Sequence, residues 1–159
     1  MIYLDTSVAL LSLLGQPGAD EAAQLIMDAH ATEGLASSCL LKVEMARVAH
    51  RDHFDVRVVD KFIVGVELIE IDPDVIERAS ALTGELKPLD AIHLATATLL
   101  DAPRHPVTVL THDARLAGAA RARGAGCDRP AGLIAPDRPP RRAGAGFAPG
   151  RRPAPGDRR

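Results

Sequence analysis

The chain opens with the stretch that decides the fold, Ile2-Tyr3-Leu4-Asp5-Thr6-Ser7. Ile2–Leu4 is typical of a short buried strand, and the apolar residues from about 7 to 14 predict a helix that Gly15 and Pro17 end. An acid that closes an apolar strand lies where burying its charge is costly, so Asp5 is a candidate functional residue. The first unit is therefore expected to be a strand, a polar turn and a helix.

The same alternation continues along the chain. We predict further strands at residues 35–37, 67–71 and 107–110, with a weak fifth strand near 126–130. Helical periodicity, with Pro and Gly as start and stop signals, predicts helices at about 19–29, 40–50, 54–66, 73–84, 89–100 and 114–123. Strands that alternate with helices indicate an α/β fold: one domain with a mostly parallel four- or five-stranded sheet and helices on both faces.

Composition limits the class of protein. The 159 residues are enough for one ordinary domain, and with 47% apolar but only 3% aromatic residues the core must be aliphatic. No apolar run reaches 18 residues, so no membrane span is expected, and an acid at position 5 does not suit a signal peptide. Cys39 and Cys127 are isolated, which fits neither a disulfide framework nor a zinc site. We therefore expect a cytoplasmic protein.

Charge divides the chain into two parts. Residues 1–134 carry 19 acidic and 12 basic residues, a balance of −7, whereas residues 135–159 carry seven Arg and two Asp, a balance of +5. We interpret 1–134 as the folded domain and 135–159 as a disordered tail rich in Arg, Pro and Gly, since it lacks the apolar surface to offset its ordering entropy. The tail could contact phosphates, although its composition favours an unselected extension.

Four acids fall near the carboxyl ends of the predicted strands, where sites form in open parallel sheets: Asp5, Glu44, Asp90 and Asp113. Three of them also have a purely structural explanation. Asp113 could cap the helix that follows it, the helix dipole could favour Asp90, and Glu44 could pair with Arg47. The occurrence of all four at equivalent ends of the fold favours a functional site.

Crowded carboxylates point to a metal ion, because they cannot all stay ionised unless a cation compensates them. A set of oxygen ligands without His or Cys suits Mg²⁺, with Mn²⁺ as a possible substitute, rather than zinc. Such an ion activates water and neutralises charge that develops on a phosphodiester. The acids therefore indicate hydrolysis without a covalent intermediate.

Four motifs in order resemble the PIN-domain family, in particular the VapC-type toxin ribonucleases of toxin–antitoxin pairs. They are Ile2-Tyr3-Leu4-Asp5-Thr6-Ser7, Ser37-Ser38 leading to Val43-Glu44, Leu89-Asp90-Ala91-Ile92-His93-Leu94-Ala95, and Thr111-His112-Asp113-Ala114-Arg115-Leu116. The resemblance covers about residues 1–130, and the third motif is the most distinctive.

The resemblance implies Mg²⁺-dependent cleavage of RNA, often structured RNA such as tRNA, together with homodimerisation and inhibition by a cognate antitoxin. It makes Asp5, Glu44, Asp90 and Asp113 the metal-binding catalytic acids. It also makes Thr6 and Thr111 supporting hydroxyls that orient carboxylates or water. His93, one turn after Asp90, is expected to pack within its helix rather than to act as a base.

Departures from the family pattern and rival classes leave alternatives open. Some relatives have a further acid where Arg115 stands, so a second metal ion is expected to bind weakly or only with substrate. A phosphoaspartyl hydrolase would need an Asp at the position of Ser7, and a receiver domain would need an acidic neighbour for Asp5. The remaining alternative is a catalytically silent scaffold that binds RNA or a protein partner.

Overall fold

Strands and helices alternate in the computed structural model, which describes residues 1–84 and 86–128. The strands are β1 Ile2–Leu4, β2 Leu35–Ser38, β3 Glu67–Ile69, β4 Thr108–Leu110 and β5 Gly126–Asp128. The helices are α1 Thr6–Leu13, α2 Ala19–Thr32, α3 Leu40–Asp52, α4 Val56–Ile63, α5 Pro73–Ala81, α6 Pro88–Leu100 and α7 Ala114–Ala122. The end of the predicted domain at residue 134 and the predicted tail lie outside the described residues.

The five strands form one sheet in the order β3-β2-β1-β4-β5, and every neighbouring pair is parallel. The predicted α/β class with a parallel sheet is therefore confirmed. From β1 the chain builds outward through β2 and β3, then returns to the other side of β1 to add β4 and β5. Such a reversal opens a crevice beyond the carboxyl ends of β1 and β4, the usual place for a site in this class.

Both faces of the sheet are covered, because side chains alternate along each strand. Ile2 and Leu4 of β1 pack into an aliphatic core with residues of α1 to α4. Tyr3, between them, points to the other face and packs with residues of α6 and α7. The layers are held by small aliphatic side chains, as the low aromatic content predicts.

Several predicted boundaries shift by a few residues, and capping explains where α4 begins. The helix predicted at 54–66 spans Val56–Ile63; it begins at Val56 because the Asp55 side chain accepts a hydrogen bond from the Arg57 backbone and so caps the helix. The strand predicted at 67–71 ends at Ile69, and Asp72 caps α5 by accepting from the Val75 backbone. Within the described residues, no helix combines the length and apolarity needed to span a bilayer.

Candidate active site

Asp5 lies where β1 ends and α1 begins, and it is 6% exposed. Its backbone N–H donates to the Leu110 carbonyl at 3.0 Å, which ties the turn to the end of β4. Its carboxylate oxygen Oδ2 accepts hydrogen bonds from the Thr111 hydroxyl at 2.8 Å and from the Ser7 hydroxyl. The buried charge is thus held in one orientation by hydroxyls that follow two neighbouring strands.

Glu44, in the second turn of α3, is bonded through a single carboxylate oxygen. Its Oε2 accepts from the Thr6 hydroxyl at 2.6 Å and is 3.0 Å from Nε2 of His93. Burial by itself raises the pKa of Glu44, but the bonds from His93 and Thr6 together with the His93 charge hold that pKa below its ordinary value. Glu44 makes these two contacts in place of the ion pair with Arg47 that was considered from the sequence.

His93 is 1% exposed and connects Glu44 to the core. Its Nδ1 lies 2.9 Å from the Tyr3 hydroxyl, which also accepts from the Ser38 backbone N–H at 3.0 Å. Burial raises the pKa of Tyr3 to about 12, so its hydroxyl keeps its proton. Burial alone lowers the pKa of His93, but the hydrogen bond to Glu44 and the nearby carboxylates raise it above the ordinary value.

Asp90 lies in the first turn of α6, which begins at Pro88. Its Oδ2 is buried and has no hydrogen-bond partner among the described residues. Burial raises the pKa of Asp90; Lys87 opposes this, and the negative charges of Asp113 and Asp5 add to it. Asp113 and Asp5 therefore lie close enough to Asp90 to disfavour its charged form, and Oδ2 of Asp90 has no donor within the described chain.

Asp113 caps α7, which is the structural role considered for it from the sequence. Its Oδ1 accepts from the backbone N–H groups of Arg115 at 2.7 Å and Leu116 at 3.1 Å. Its own backbone N–H donates to the Thr111 hydroxyl at 3.0 Å, and that same hydroxyl bonds Asp5. Thr111 thereby sets the spacing between the turns that carry Asp5 and Asp113.

The four acids line one cleft of about 600 Å³. They arrive from the ends of β1 and β4 and from helices α3 and α6, so the fold brings together all four acids singled out in the sequence. Three basic side chains line the same cleft: Arg47, Arg51 and Lys87. Arg51 is paired with Asp52 at 2.7 Å, whereas Arg47 and Lys87 form no salt bridge within the described part of the chain.

The cleft fits a hard divalent cation in chemistry but does not form a complete cage. Across residues 1–84 and 86–128, no group of three or more His, Cys, Asp or Glu side chains is arranged to hold a metal ion by itself. Mg²⁺, however, commonly takes one or two carboxylates and completes its shell with water and phosphate oxygens. The carboxylate donors and the unpartnered Oδ2 of Asp90 fit such a partly hydrated ion.

Sequence reasoning passed over two features of the cleft. The first is the contact between His93 and Glu44, which are 49 positions apart. The spacing of His93 and Asp90, one turn apart on α6, was a local signal that both could reach the same crevice. The second is the basic lining, for which the sequence carries no signal beyond the one-turn spacing of Arg47 and Arg51 on α3.

Comparison with known proteins agrees with the fold and with the motifs. The family model of the PIN domain matches residues 2–122. A toxin–antitoxin complex from Klebsiella pneumoniae contains a similar chain with 28% identity and a TM-score of 0.57; the match covers 71% of this chain and 87% of that one. A comparison with curated protein sequences finds no significant match.

Two further solved structures are similar in fold alone, because their identity is low. VapBC2 from Rickettsia felis, bound to a DNA fragment from their promoter, is 14% identical with a TM-score of 0.58, over 81% of this chain and 98% of that one. FitAcB from Neisseria gonorrhoeae is 20% identical with a TM-score of 0.53, over 84% and 100%. Since the PIN model spans most of the 159 residues, from β1 to the end of α7, the chain belongs to the PIN-domain family, a family of nucleases.

Proposed function

We propose that this protein is a Mg²⁺-dependent endoribonuclease that hydrolyses RNA phosphodiester bonds. The observation that carries the proposal is the convergence of four carboxylates on one cleft, one of which has a buried oxygen with no donor among the described residues. The ionised Asp90, half-buried beside Asp113 and Asp5, opposes folding unless a cation compensates it, so its retention favours chemistry over structure.

Each acid has its own part in this proposal. Asp5, Glu44, Asp90 and Asp113 would hold Mg²⁺, or Mn²⁺ in its place, and the bound ion would activate water and neutralise charge on the phosphodiester. Asp5 is kept in orientation by Thr111 and Ser7, and Glu44 by Thr6 and His93. No residue in the described part of the chain donates to Oδ2 of Asp90, so that oxygen is well placed to accept an external ligand.

The basic lining supports a nucleic-acid substrate. Arg47 and Lys87 line the acidic cleft without a salt bridge to any described residue, so they can contact phosphates of an RNA bound there. The choice of RNA, and of a structured RNA such as tRNA, rests on the resemblance to VapC-type ribonucleases. Residues 1–134 carry a net negative charge, which disfavours binding of RNA over a broad surface. RNA contact confined to the cleft is therefore favoured.

We also propose that the protein is the toxin of a toxin–antitoxin pair, acts as a homodimer in the cytoplasm and is inhibited by a cognate antitoxin. The 28% identity with a chain of the Klebsiella pneumoniae toxin–antitoxin complex supports this role. A neighbouring reading frame for a small DNA-binding protein would add independent support.

A catalytically silent scaffold that binds RNA or a protein partner is the second candidate. One observation favours it: the described residues contain no group of three side chains ready to hold a metal ion. A scaffold would bind RNA equally well with Mg²⁺ and with EDTA, and would leave the RNA intact.

Cleavage assays on purified protein test the proposal and separate the two candidates. RNA should be cut in Mg²⁺ or Mn²⁺, EDTA should stop the reaction, and Asp5→Asn should abolish cleavage while the protein stays folded. Asp72→Asn is a matched control, because Asp72 caps α5 and does not line the cleft. Full cleavage by Asp5→Asn would show that the acidic cleft is not the catalytic centre.

A further inference from the structure

The cleft that holds the acids is also lined by aliphatic side chains, and two of them are exposed. Val43 on α3 is 54% exposed and Leu89 on α6 is 44% exposed. Neither side chain can bind a metal ion or a phosphate, so the chemistry of the acids does not explain their place in the cleft. Apolar surface surrounded by polar side chains commonly marks a contact with a ligand. We call Val43 and Leu89 the apolar rim.

The apolar rim lies next to the acids on both helices. Val43 directly precedes Glu44, and Leu89 directly precedes Asp90. Helices α3 and α6 meet where Nε2 of His93 lies 3.0 Å from Oε2 of Glu44. Leu89 precedes His93 by four residues, which is about one helical turn. The two exposed side chains therefore come from the parts of α3 and α6 that bring acids into the cleft.

A basic side chain accompanies each of these acids at the same cleft. Arg47 follows Glu44 by three residues on α3. Lys87 precedes Asp90 by three residues at the start of α6. Along α3, a separation of four residues places Val43 and Arg47 about 6 Å apart in axial rise. Each helix therefore presents an acid, a cation and an aliphatic side chain within about one turn.

A single nucleotide of RNA matches this combination of side chains. Its phosphate carries the charge that a basic side chain and a metal ion contact, and its base has apolar faces. A phosphate or a sugar–phosphate backbone alone would leave the aliphatic side chains exposed, and an apolar peptide would leave the cations unpaired. In a paired A-form helix the base faces are stacked on one another, so only an unpaired base can reach such side chains.

We propose that Val43 and Leu89 contact the face of an unpaired nucleobase adjacent to the phosphate that is cleaved. Arg47 and Lys87 contact phosphates, whereas the apolar rim contacts the base. The inference deepens the proposed nuclease function and rests on it for the position of the base relative to the cleaved bond. Phosphate contacts weaken as salt is added, because they release counterions, whereas apolar contacts do not weaken in this way. The two kinds of contact can therefore be separated by experiment.

Binding of two RNA chains of equal length to the inactive Asp5→Asn protein, measured by fluorescence anisotropy, tests the base contact. One chain is a single-stranded RNA of mixed sequence, and the other has the same backbone with its bases removed. Val43→Ala and Leu89→Ala should each weaken binding of the first chain roughly 4-fold, the effect of one lost methylene contact. Binding of the abasic chain should not change. Equal losses for both chains, or no loss for either, would overturn the proposal.

Salt titrations of the same proteins separate the apolar rim from the basic lining. Arg47→Gln should weaken binding of both chains and lower the slope of log affinity against log salt by about 0.7, the value for one phosphate of a single strand. Val43→Ala should lower the affinity for the chain with bases and leave that slope unchanged. A lower slope in Val43→Ala would mean that the change acts through the phosphate contacts, contrary to the proposal.

Two exposed aliphatic residues outside the cleft serve as matched controls. Val58 on α4 is 40% exposed and Ile76 on α5 is 47% exposed, and neither lines the cleft. Alanine is the most favourable residue in helices, so all four alanine variants should stay folded, which melting temperatures check. Val58→Ala and Ile76→Ala should leave the binding of both chains unchanged. Losses as large as that of Val43→Ala would mean that the contact is not specific to the cleft.

A second copy of the chain is the competing occupant of the apolar rim, and the same variants distinguish it. If Val43→Ala and Leu89→Ala convert a dimer to a monomer in sedimentation and leave RNA binding unchanged, the rim is a subunit interface and the proposal fails. If the original protein cleaves no RNA, the nuclease proposal fails, whereas the comparison of the two chains still decides whether the rim contacts a base.

Discussion

Asp90 illustrates at the scale of one residue how a site can oppose folding. A carboxyl group whose pKa is raised on folding binds its proton more tightly in the native state than in the unfolded chain. This tighter proton binding stabilises the folded protein fully at pH values below the pKa of the unfolded chain. The stabilisation is lost as pH rises through the pKa that the group has in the folded protein. At neutral pH the ionised Asp90, whose buried Oδ2 has no partner in residues 1–84 and 86–128, therefore lowers the free energy of unfolding.

Replacing Asp90 by Asn should stabilise the metal-free protein at pH 7 by roughly 1 kcal/mol at most, because a half-exposed charge is screened by solvent. Mg²⁺ well above its dissociation constant should stabilise the original protein by about 1–3 kcal/mol, and the Asn variant by much less. Thermal melts of both proteins in EDTA and in Mg²⁺ measure these shifts. A less stable Asn variant with an intact Mg²⁺ shift would make Asp90 a structural residue only.

The basic lining of the cleft can be tested at single residues. Arg47→Gln should weaken RNA binding by the catalytically inactive Asp5→Asn protein and lower the slope of log affinity against log salt by about 0.7–0.9, the value for one phosphate contact. Arg78→Gln on α5 is the matched control, since Arg78 does not line the cleft. Equal effects of the two changes in a salt titration would mean that the contact is not specific to the cleft.

At the scale of elements, the N-terminus of α7 serves two purposes with one side chain. Asp113 satisfies two backbone N–H groups with Oδ1 and also lines the acidic cleft. Of the two functions, capping needs only a short acceptor, which Ser supplies, while a metal site needs the carboxylate charge. The two functions can therefore be separated by substitution.

Asp113→Ala should lower the free energy of unfolding by about 1 kcal/mol and abolish RNA cleavage. Asp113→Ser should recover most of the stability but none of the cleavage. Asp72→Ala, which removes the cap of α5 outside the cleft, should cost about the same stability and leave cleavage intact. Denaturant unfolding and RNA cleavage of the three variants check this, and an active Asp113→Ser protein would remove Asp113 from the proposed metal set.

For the whole molecule, strand order decides where the site lies. The order β3-β2-β1-β4-β5 puts β1 and β4 side by side, although Asp5 and Thr111 are 106 positions apart. The aliphatic cores on the two sheet faces hold this arrangement, and they involve residues from Ile2 to Ala125. We therefore expect the domain to fold without the basic segment at residues 135–159.

Deleting residues 136–159 should leave the melting temperature and the Mg²⁺ affinity almost unchanged, because that sequence has no apolar periodicity with which to pack. RNA affinity should fall modestly, with a weaker dependence on salt. A full-length variant with the tail arginines replaced by Gln separates the effect of charge from that of length. A large loss of stability on deletion would mean that the segment packs on the domain.

The sequence by itself determined the local elements and the candidate residues. The helix cap at Asp113 and the prolines at the starts of α5 and α6 act within a few residues, so they can be recognised from the order of amino acids. Short apolar runs predicted the first four strands, and the weak fifth strand predicted near residues 126–130 corresponds to β5. The position of the acids after apolar strands was likewise a local signal.

Only the tertiary structure decided what those residues contact. The bond between His93 and Glu44 joins two helices, and the bond between Tyr3 and His93 joins the first strand to the sixth helix. Which oxygen of Asp90 stays without a donor, and which basic side chains line the cleft, depend on how helices pack over the sheet. These are distances between parts of the chain far apart in sequence, and no local pattern of residue types specifies them, because packing of whole elements sets them.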